Sequence, residues 1–125
     1  MPELELSDQY FDLSFLLEIA DGSTEFIVES IDMFLVQTPE LMWAIYNAIK
    51  AGDRTLIAQS AHKLKPNLGF FGMLTAQSMM QEVEALAKGD ADFAAIEAKY
   101  VSVRSIIAPT LEKLKVIREA KAAEL

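Results

Sequence analysis

Residues 23–51 have the sequence STEFIVESIDMFLVQTPELMWAIYNAIKA and decide the fold. Apolar residues recur there every three or four positions over about seven turns, which places them along one side of an α-helix. The stripe consists of Ile27, Ile31, Phe34, Thr38, Leu41, Ile45 and Ile49. Pro39 removes a backbone donor, yet the stripe stays in phase across it. The segment is therefore predicted to be a kinked helix or two abutting helices.

Four further segments of helical length accompany this one. They cover residues 7–20, 53–70, 72–88 and 92–118. Turns that combine glycine with a capping Ser or Asp separate the segments, and Pro109 is predicted to bend the last one. Long amphipathic helices joined by short turns form antiparallel bundles. We expect an all-α fold, an antiparallel four-helix bundle with an additional short N-terminal helix, in a single domain of residues 1–125.

Composition limits the class of protein and its partners. The chain has 125 residues, a net charge of -8 and no cysteine, which excludes disulfides and thiolate metal sites. No apolar run approaches the roughly 18 residues of a membrane span, and the N-terminal sequence MPELE is acidic where a secretory signal is basic. Basic residues are scattered rather than clustered. We expect a cytoplasmic protein that binds neither membranes nor nucleic acid.

The third segment carries the only histidine, His62. On a helical wheel it lies roughly 130° from the apolar stripe of that segment, so its imidazole is predicted to face solvent. The neighbours on the same face are small or compact, and two polar residues flank the site three positions to either side. The compact neighbours are Thr55, Ala58, Pro66 and Gly69, and the flanking residues are Gln59 and Lys65. Such a face lets a second protein approach the imidazole closely.

A neutral imidazole on this face is suited to phosphoryl transfer. One ring nitrogen can attack an activated phosphoryl group and form a covalent phosphoramidate, and the Lys65 ammonium can offset charge on the phosphoryl oxygens. A lone histidine is more often a surface or structural residue, and this alternative stays open on the pattern alone. The carboxylates, with Glu82 and Glu84 among them, are expected to be solvated. No metal site is predicted, because a carboxylate di-metal site needs more than one histidine.

Residues 61–74, AHKLKPNLGFFGML, resemble the active helix of histidine-containing phosphotransfer (HPt) domains. The family pattern is a histidine preceded by alanine and followed by an apolar residue, a lysine and several glycines. By this resemblance His62 is the phosphorylated histidine and Lys65 is the lysine that assists the phosphoryl group. Pro66 departs from the pattern, because the family usually has glycine there. We hypothesise a local kink after His62, absorbed by Asn67 and Gly69.

The resemblance implies a phosphorelay intermediate rather than an enzyme. HPt domains are four-helix bundles that accept a phosphoryl group from a receiver-domain aspartate, pass it on, and lack kinase activity. The implied partners are response-regulator receiver domains and a hybrid sensor histidine kinase. A monomer without a cofactor of its own is expected, docking a receiver over Thr55, Ala58, Gln59, Pro66 and Gly69. The alternatives are a scaffold that binds a receiver or other regulator without being phosphorylated, and an enzyme, for which no convergent catalytic groups are visible.

Overall fold

The computed structural model describes residues 5–125, and within them the chain forms five α-helices. The helices are α1 Ser14–Ala20, α2 Thr24–Ala51, α3 Arg54–Phe70, α4 Leu74–Lys88 and α5 Phe93–Ala122. The only strand-like feature in this part of the chain is an isolated bridge between Ser7 and Asp12. The predicted all-α class is confirmed. The predicted domain starts at residue 1, and residues 1–4, including most of the acidic start, lie outside the described residues.

The core lies between the four long helices. Helix α2 contacts α3 and α5, and α4 contacts the same two helices, so the four close into a ring. The predicted stripe of α2 is buried in this ring apart from Leu41, which is half-buried. Tyr100 on α5 joins the ring to α2, because its hydroxyl donates to the backbone carbonyl of Met42 at 3.1 Å. No helix within residues 5–125 combines enough length with enough apolar character to span a bilayer.

Three helices contain a proline, and each continues through it. These prolines are Pro39, Pro66 and Pro109. Helix α2 runs unbroken over Thr24–Ala51, so the predicted alternative of two abutting helices is wrong. An internal proline costs a helix about 3 kcal/mol or more. Core burial on both sides of Pro39, by Phe34 before it and Ile45 after it, offsets that cost.

Two of the predicted helix caps are present. The Ser23 hydroxyl accepts the N–H of Phe26 at 3.1 Å, and the Asp53 carboxylate accepts the N–H of Leu56 at 3.0 Å. Each bond satisfies one of the backbone donors that the first turn of a helix leaves free. Asp92, which precedes α5, makes no side-chain cap bond. The turns therefore fix where α2 and α3 begin, and with α3 the position of His62.

The N-terminal helix is shorter than predicted, because α1 begins at Ser14 rather than at residue 7. The Asp8 carboxylate accepts the backbone N–H groups of Tyr10 at 2.7 Å and Phe11 at 3.1 Å. Such local side-chain bonds compete with helical hydrogen bonds and favour a turn. The turn still buries Phe11, which is 2% exposed. The predicted start was wrong because it rested on apolar content alone and took no account of the local hydrogen bonds that keep this backbone out of a helix.

The N-terminal segment is anchored on the turn between α3 and α4. The backbone N–H of Asp12 donates to the carbonyl of Phe71 at 3.2 Å. Gly72, the next residue, has φ +66°, and a Cβ on it would overlap the backbone of Asp12. Glycine is required at this position for two reasons, since the left-handed conformation and the close backbone approach both exclude a side chain.

Replacing Gly72 by alanine is expected to destabilise the protein strongly. The Gly22→Ala variant is the matched control, since Gly22 has φ +87° and a Cβ added to it would meet nothing within 4 Å. Strain from positive φ alone costs about 1 kcal/mol. Gly72→Ala is expected to cost roughly 2 kcal/mol more, because the Asp12 backbone must also move. Urea unfolding followed by circular dichroism measures both, and equal losses would show that the Asp12 contact is dispensable.

Candidate functional site

His62 lies on α3, on the side of that helix that faces away from the core. The opposite side of α3 is completely buried, as in Ile57 and Leu64, which are both 0% exposed. The His62 side chain is 71% exposed. The predicted outward orientation is therefore confirmed. It follows from the helical period, because burial of the apolar stripe leaves a residue about 130° away in solvent.

A buried carboxylate stands beside this exposed imidazole. Nδ1 of His62 lies 3.2 Å from Oε2 of Glu84 on α4, and the Glu84 side chain is only 4% exposed. The expectation that Glu84 is solvated is wrong. A helical wheel of α4 would have indicated this burial, because Glu84 lies only about 40° from Met80, a core residue of the same helix. Its place on the α3–α4 contact brings it under His62.

Two lysines compensate the buried charge of Glu84. Lys65 Nζ lies 2.6 Å from Glu84 Oε1, and Lys88 Nζ lies 2.9 Å from Glu84 Oε2. The paired ammonium of Lys65, and then that of Lys88, lowers the pKa of Glu84 from 4.5 to about 2, despite the burial that acts in the other direction. The carboxylate is consequently ionised at neutral pH. An ionised carboxylate accepts hydrogen bonds and donates none.

Lys65 is held more tightly than its position on the outer part of α3 suggests. Its side chain is 19% exposed, and its ammonium also donates to the side-chain oxygen of Gln81. Gln77 on α4 donates to the backbone carbonyl of Lys65 at 3.1 Å. The same Gln77 amide lies over Gly69, where a Cβ would meet it at 2.5 Å. The small size of Gly69 thus makes room for a side chain of this same protein.

The structure separates the five predicted docking residues by exposure. Thr55, Gln59 and Pro66 are exposed, Gly69 is half-buried, and Ala58 is buried at 7% exposure. They do not form one flat surface, because His62 stands between two clefts. A cleft of about 520 Å³ includes Thr55, Ala58 and Gln59 in its walls, and one of about 560 Å³ includes Pro66. Ala58 forms part of a cleft wall rather than a raised contact.

The chemistry available at this site comes from one imidazole, one carboxylate and two ammonium groups. His62, Glu84, Lys65 and Lys88 form one connected cluster. Within residues 5–125, no group of three or more His, Cys, Asp or Glu residues is placed to hold a metal ion. The cluster pairs an exposed ring nitrogen with nearby positive charge. It is suited to receiving an anionic group on His62.

Comparison with known proteins identifies the family. A family model described as Hpt domain matches residues 29–119, from α2 into α5, and so includes the whole cluster. Searches of curated proteins and of solved structures found no match. Hpt domains are phosphotransfer intermediates that interact with receiver domains and kinases in phosphorelays. Since the match covers well over half of its length, the chain belongs to the Hpt domain family and is thereby involved in histidine phosphotransfer in two-component signalling.

Proposed function

We propose that this protein is a phosphorelay intermediate in which His62 accepts a phosphoryl group from a receiver-domain aspartate and passes it to another receiver. The observation that supports this most directly is the contact between the exposed His62 ring and the buried Glu84 carboxylate, 3.2 Å from Nδ1 to Oε2. One ring nitrogen faces an anion, and the other is left toward solvent. The protein needs no cofactor and no kinase activity of its own in this proposal.

Glu84 determines which ring nitrogen reacts. Because the carboxylate is ionised at neutral pH, its pKa being about 2, the proton of a neutral His62 is favoured on Nδ1, where it points at Oε2. The lone pair then resides on Nε2. An anionic partner of this kind fixes the tautomer and orientation of an imidazole in many enzyme sites. In this proposal Glu84 is a positioning residue and Nε2 of His62 is the nucleophile.

The transfer step balances without an added acid or base. The Nε2 lone pair attacks phosphorus, the P–N bond forms, and the P–O bond of the aspartyl phosphate breaks with its electrons left on the aspartate. The ring then keeps its Nδ1 proton and becomes cationic, which the adjacent Glu84 carboxylate stabilises. In the onward step an aspartate oxygen attacks phosphorus, and the P–N electrons return to Nε2. No proton has to leave the site.

The proposed receiver docks over the α3 surface around His62. Thr55, Gln59 and Pro66 offer accessible contacts, whereas the small, buried Ala58 keeps the surface low, so that a partner carboxylate can reach Nε2. Lys65 contributes to this site through its pairing with Glu84. In this proposal the protein is a cytoplasmic monomer whose partners are receiver domains and a hybrid sensor histidine kinase.

Replacing His62 by glutamine is expected to abolish phosphorylation while leaving the fold intact, since the side chain is 71% exposed. Incubation with a receiver domain that carries a radiolabelled aspartyl phosphate should transfer label to the wild type. The label should be acid-labile and map to Nε2. Label that persists in His62→Gln would falsify the proposal. Full signalling by an unlabelled variant in cells would instead favour a scaffold that binds a receiver without being phosphorylated.

Replacing Glu84 by glutamine is expected to destabilise the protein in a pH-dependent way. A carboxyl group whose pKa is lowered on folding stabilises the native state above its unfolded pKa, and this contribution is lost as the pH falls through the folded value. With a pKa of about 2 against 4.5, Glu84→Gln should lower the free energy of unfolding at pH 7 by on the order of 3 kcal/mol. The difference from wild type should shrink as the pH falls from 4.5 toward 2.

Glu82→Gln is the matched control for this measurement. Glu82 lies on the same helix, pairs with Lys99 at 2.5 Å, and is 52% exposed. An exposed ion pair contributes no more than about 1 kcal/mol, so this variant should unfold nearly as the wild type does at every pH. Chemical denaturation between pH 2 and pH 7 tests both variants. Equal stabilities for the two at pH 7 would contradict the burial and pairing of Glu84.

A further inference from the structure

We infer that Lys88, the last residue of α4, is the cation that contacts the phosphoryl group on His62. The inference rests on the proposed function and assigns it a second residue that acts directly on the transferred group. It differs from the role that the family resemblance gives to Lys65. The cations near His62 differ in how free they are to move to a new anion.

Lys65 is poorly placed to leave its present contacts. Its ammonium lies 2.6 Å from a carboxylate that is 4% exposed, and its own side chain is 19% exposed. It also donates to Gln81. Moving Lys65 to a phosphoryl oxygen leaves Oε1 of this buried carboxylate without its cation, and breaking a buried pair is strongly destabilising. Oε2, by contrast, still faces His62 when Lys88 leaves it. Lys65 is better described as the structural counter-ion of Glu84.

Arg54, another cation in the cleft beside His62, is also held in place by contacts of its own. Its guanidinium donates to the backbone carbonyls of Leu86 at 3.4 Å, Gly89 at 3.3 Å and Ala91. The same group lies 4.5 Å from the centre of the Phe93 ring. These contacts hold the end of α4 against the start of α5. A move toward His62 would release several carbonyls at once.

Lys88 has the opposite properties. Its side chain is 65% exposed, and its ammonium lies 2.9 Å from Oε2 of Glu84, the same oxygen that is 3.2 Å from Nδ1 of His62. Lys88 and His62 also line the same cleft. A lysine carries its charge on a flexible four-carbon stem, and this one projects from the last turn of its helix. A small rotation can carry its ammonium from the carboxylate to a group bound on the ring.

Exchange of partners by Lys88 costs the site little. When Lys88 leaves Oε2, Glu84 keeps Lys65 on Oε1 and faces the cationic ring that phosphorylation creates. The two lysines and Glu84 together carry one net positive charge. Lys88 is the residue of the three whose charged group can move. A phosphoryl group brings negative charge to this cluster, and charge-assisted hydrogen bonds to it are among the stronger ones. The cation therefore changes partner as the anion arrives.

Phosphoramidate, a small phosphoryl donor, tests this inference without a partner protein. Nε2 attacks its phosphorus, the donor P–N bond breaks, and ammonia leaves. The measured quantities are the rates at which phosphohistidine forms and decays, followed by mass spectrometry on full-length protein. Lys88→Met should slow formation about tenfold, less than the loss of a buried oxyanion-hole donor. Lys88→Arg, which keeps the charge, should restore most of the rate.

Two comparison variants separate this role from folding and from overall charge. Lys99→Met removes the charge of a lysine on α5 that pairs with Glu82. This variant should form phosphohistidine as fast as the wild type does. Lys65→Met should lower the melting temperature more than Lys88→Met does. The phosphorylation rate of Lys65→Met is therefore compared with that of the wild type at a temperature where this variant remains helical. A wild-type rate in Lys88→Met, or an equal loss in Lys99→Met, would overturn the inference. Failure to label wild-type His62 at all would instead contradict the proposed function.

Discussion

Burial of the Glu84 carboxylate is the constraint on which the functional part of the structure depends. An ion removed from water is tolerated only when opposite charge and hydrogen bonds replace the lost solvation. Here the replacement comes from both sides, by Lys65 on α3 and by Lys88 on α4 itself. The pair with Lys65 joins the two helices that contact each other most extensively. The same anion faces His62, so the requirement that pairs the charge also orients the imidazole.

The helices were predictable because their determinants are local or periodic. Apolar spacing located all the long helices, and capping residues such as Ser23 and Asp53 located two of their starts. The error at the N-terminus has a physical reason of the same local kind. Asp8 binds two backbone N–H groups and holds a turn where apolar content alone suggested a helix. The spacing of apolar residues indicates which side chains are buried, but a turn can bury a side chain as well as a helix can.

The site was only half predictable, because it depends on contact between two helices. The exposure of His62 follows from the period of α3 alone. The burial of Glu84 depends on how α4 lies against α3. A helical wheel of α4 places Glu84 close to the core face, but its charge suggested a solvated side chain. The role of Gly69 was missed for the same reason. Its small size suggested a surface for a partner, whereas Gln77 of α4 occupies that space.

The arrangement divides two tasks that a single lysine cannot perform well together. A structural counter-ion must stay with its buried partner, whereas a group that assists transfer must meet an anion that comes and goes. Lys65, 19% exposed, is suited to the first task, and Lys88, 65% exposed, to the second. Because both bind the same carboxylate, movement of one leaves the other in place. The fold can therefore keep its buried charge neutralised through the proposed cycle, in which His62 gains and loses a phosphoryl group.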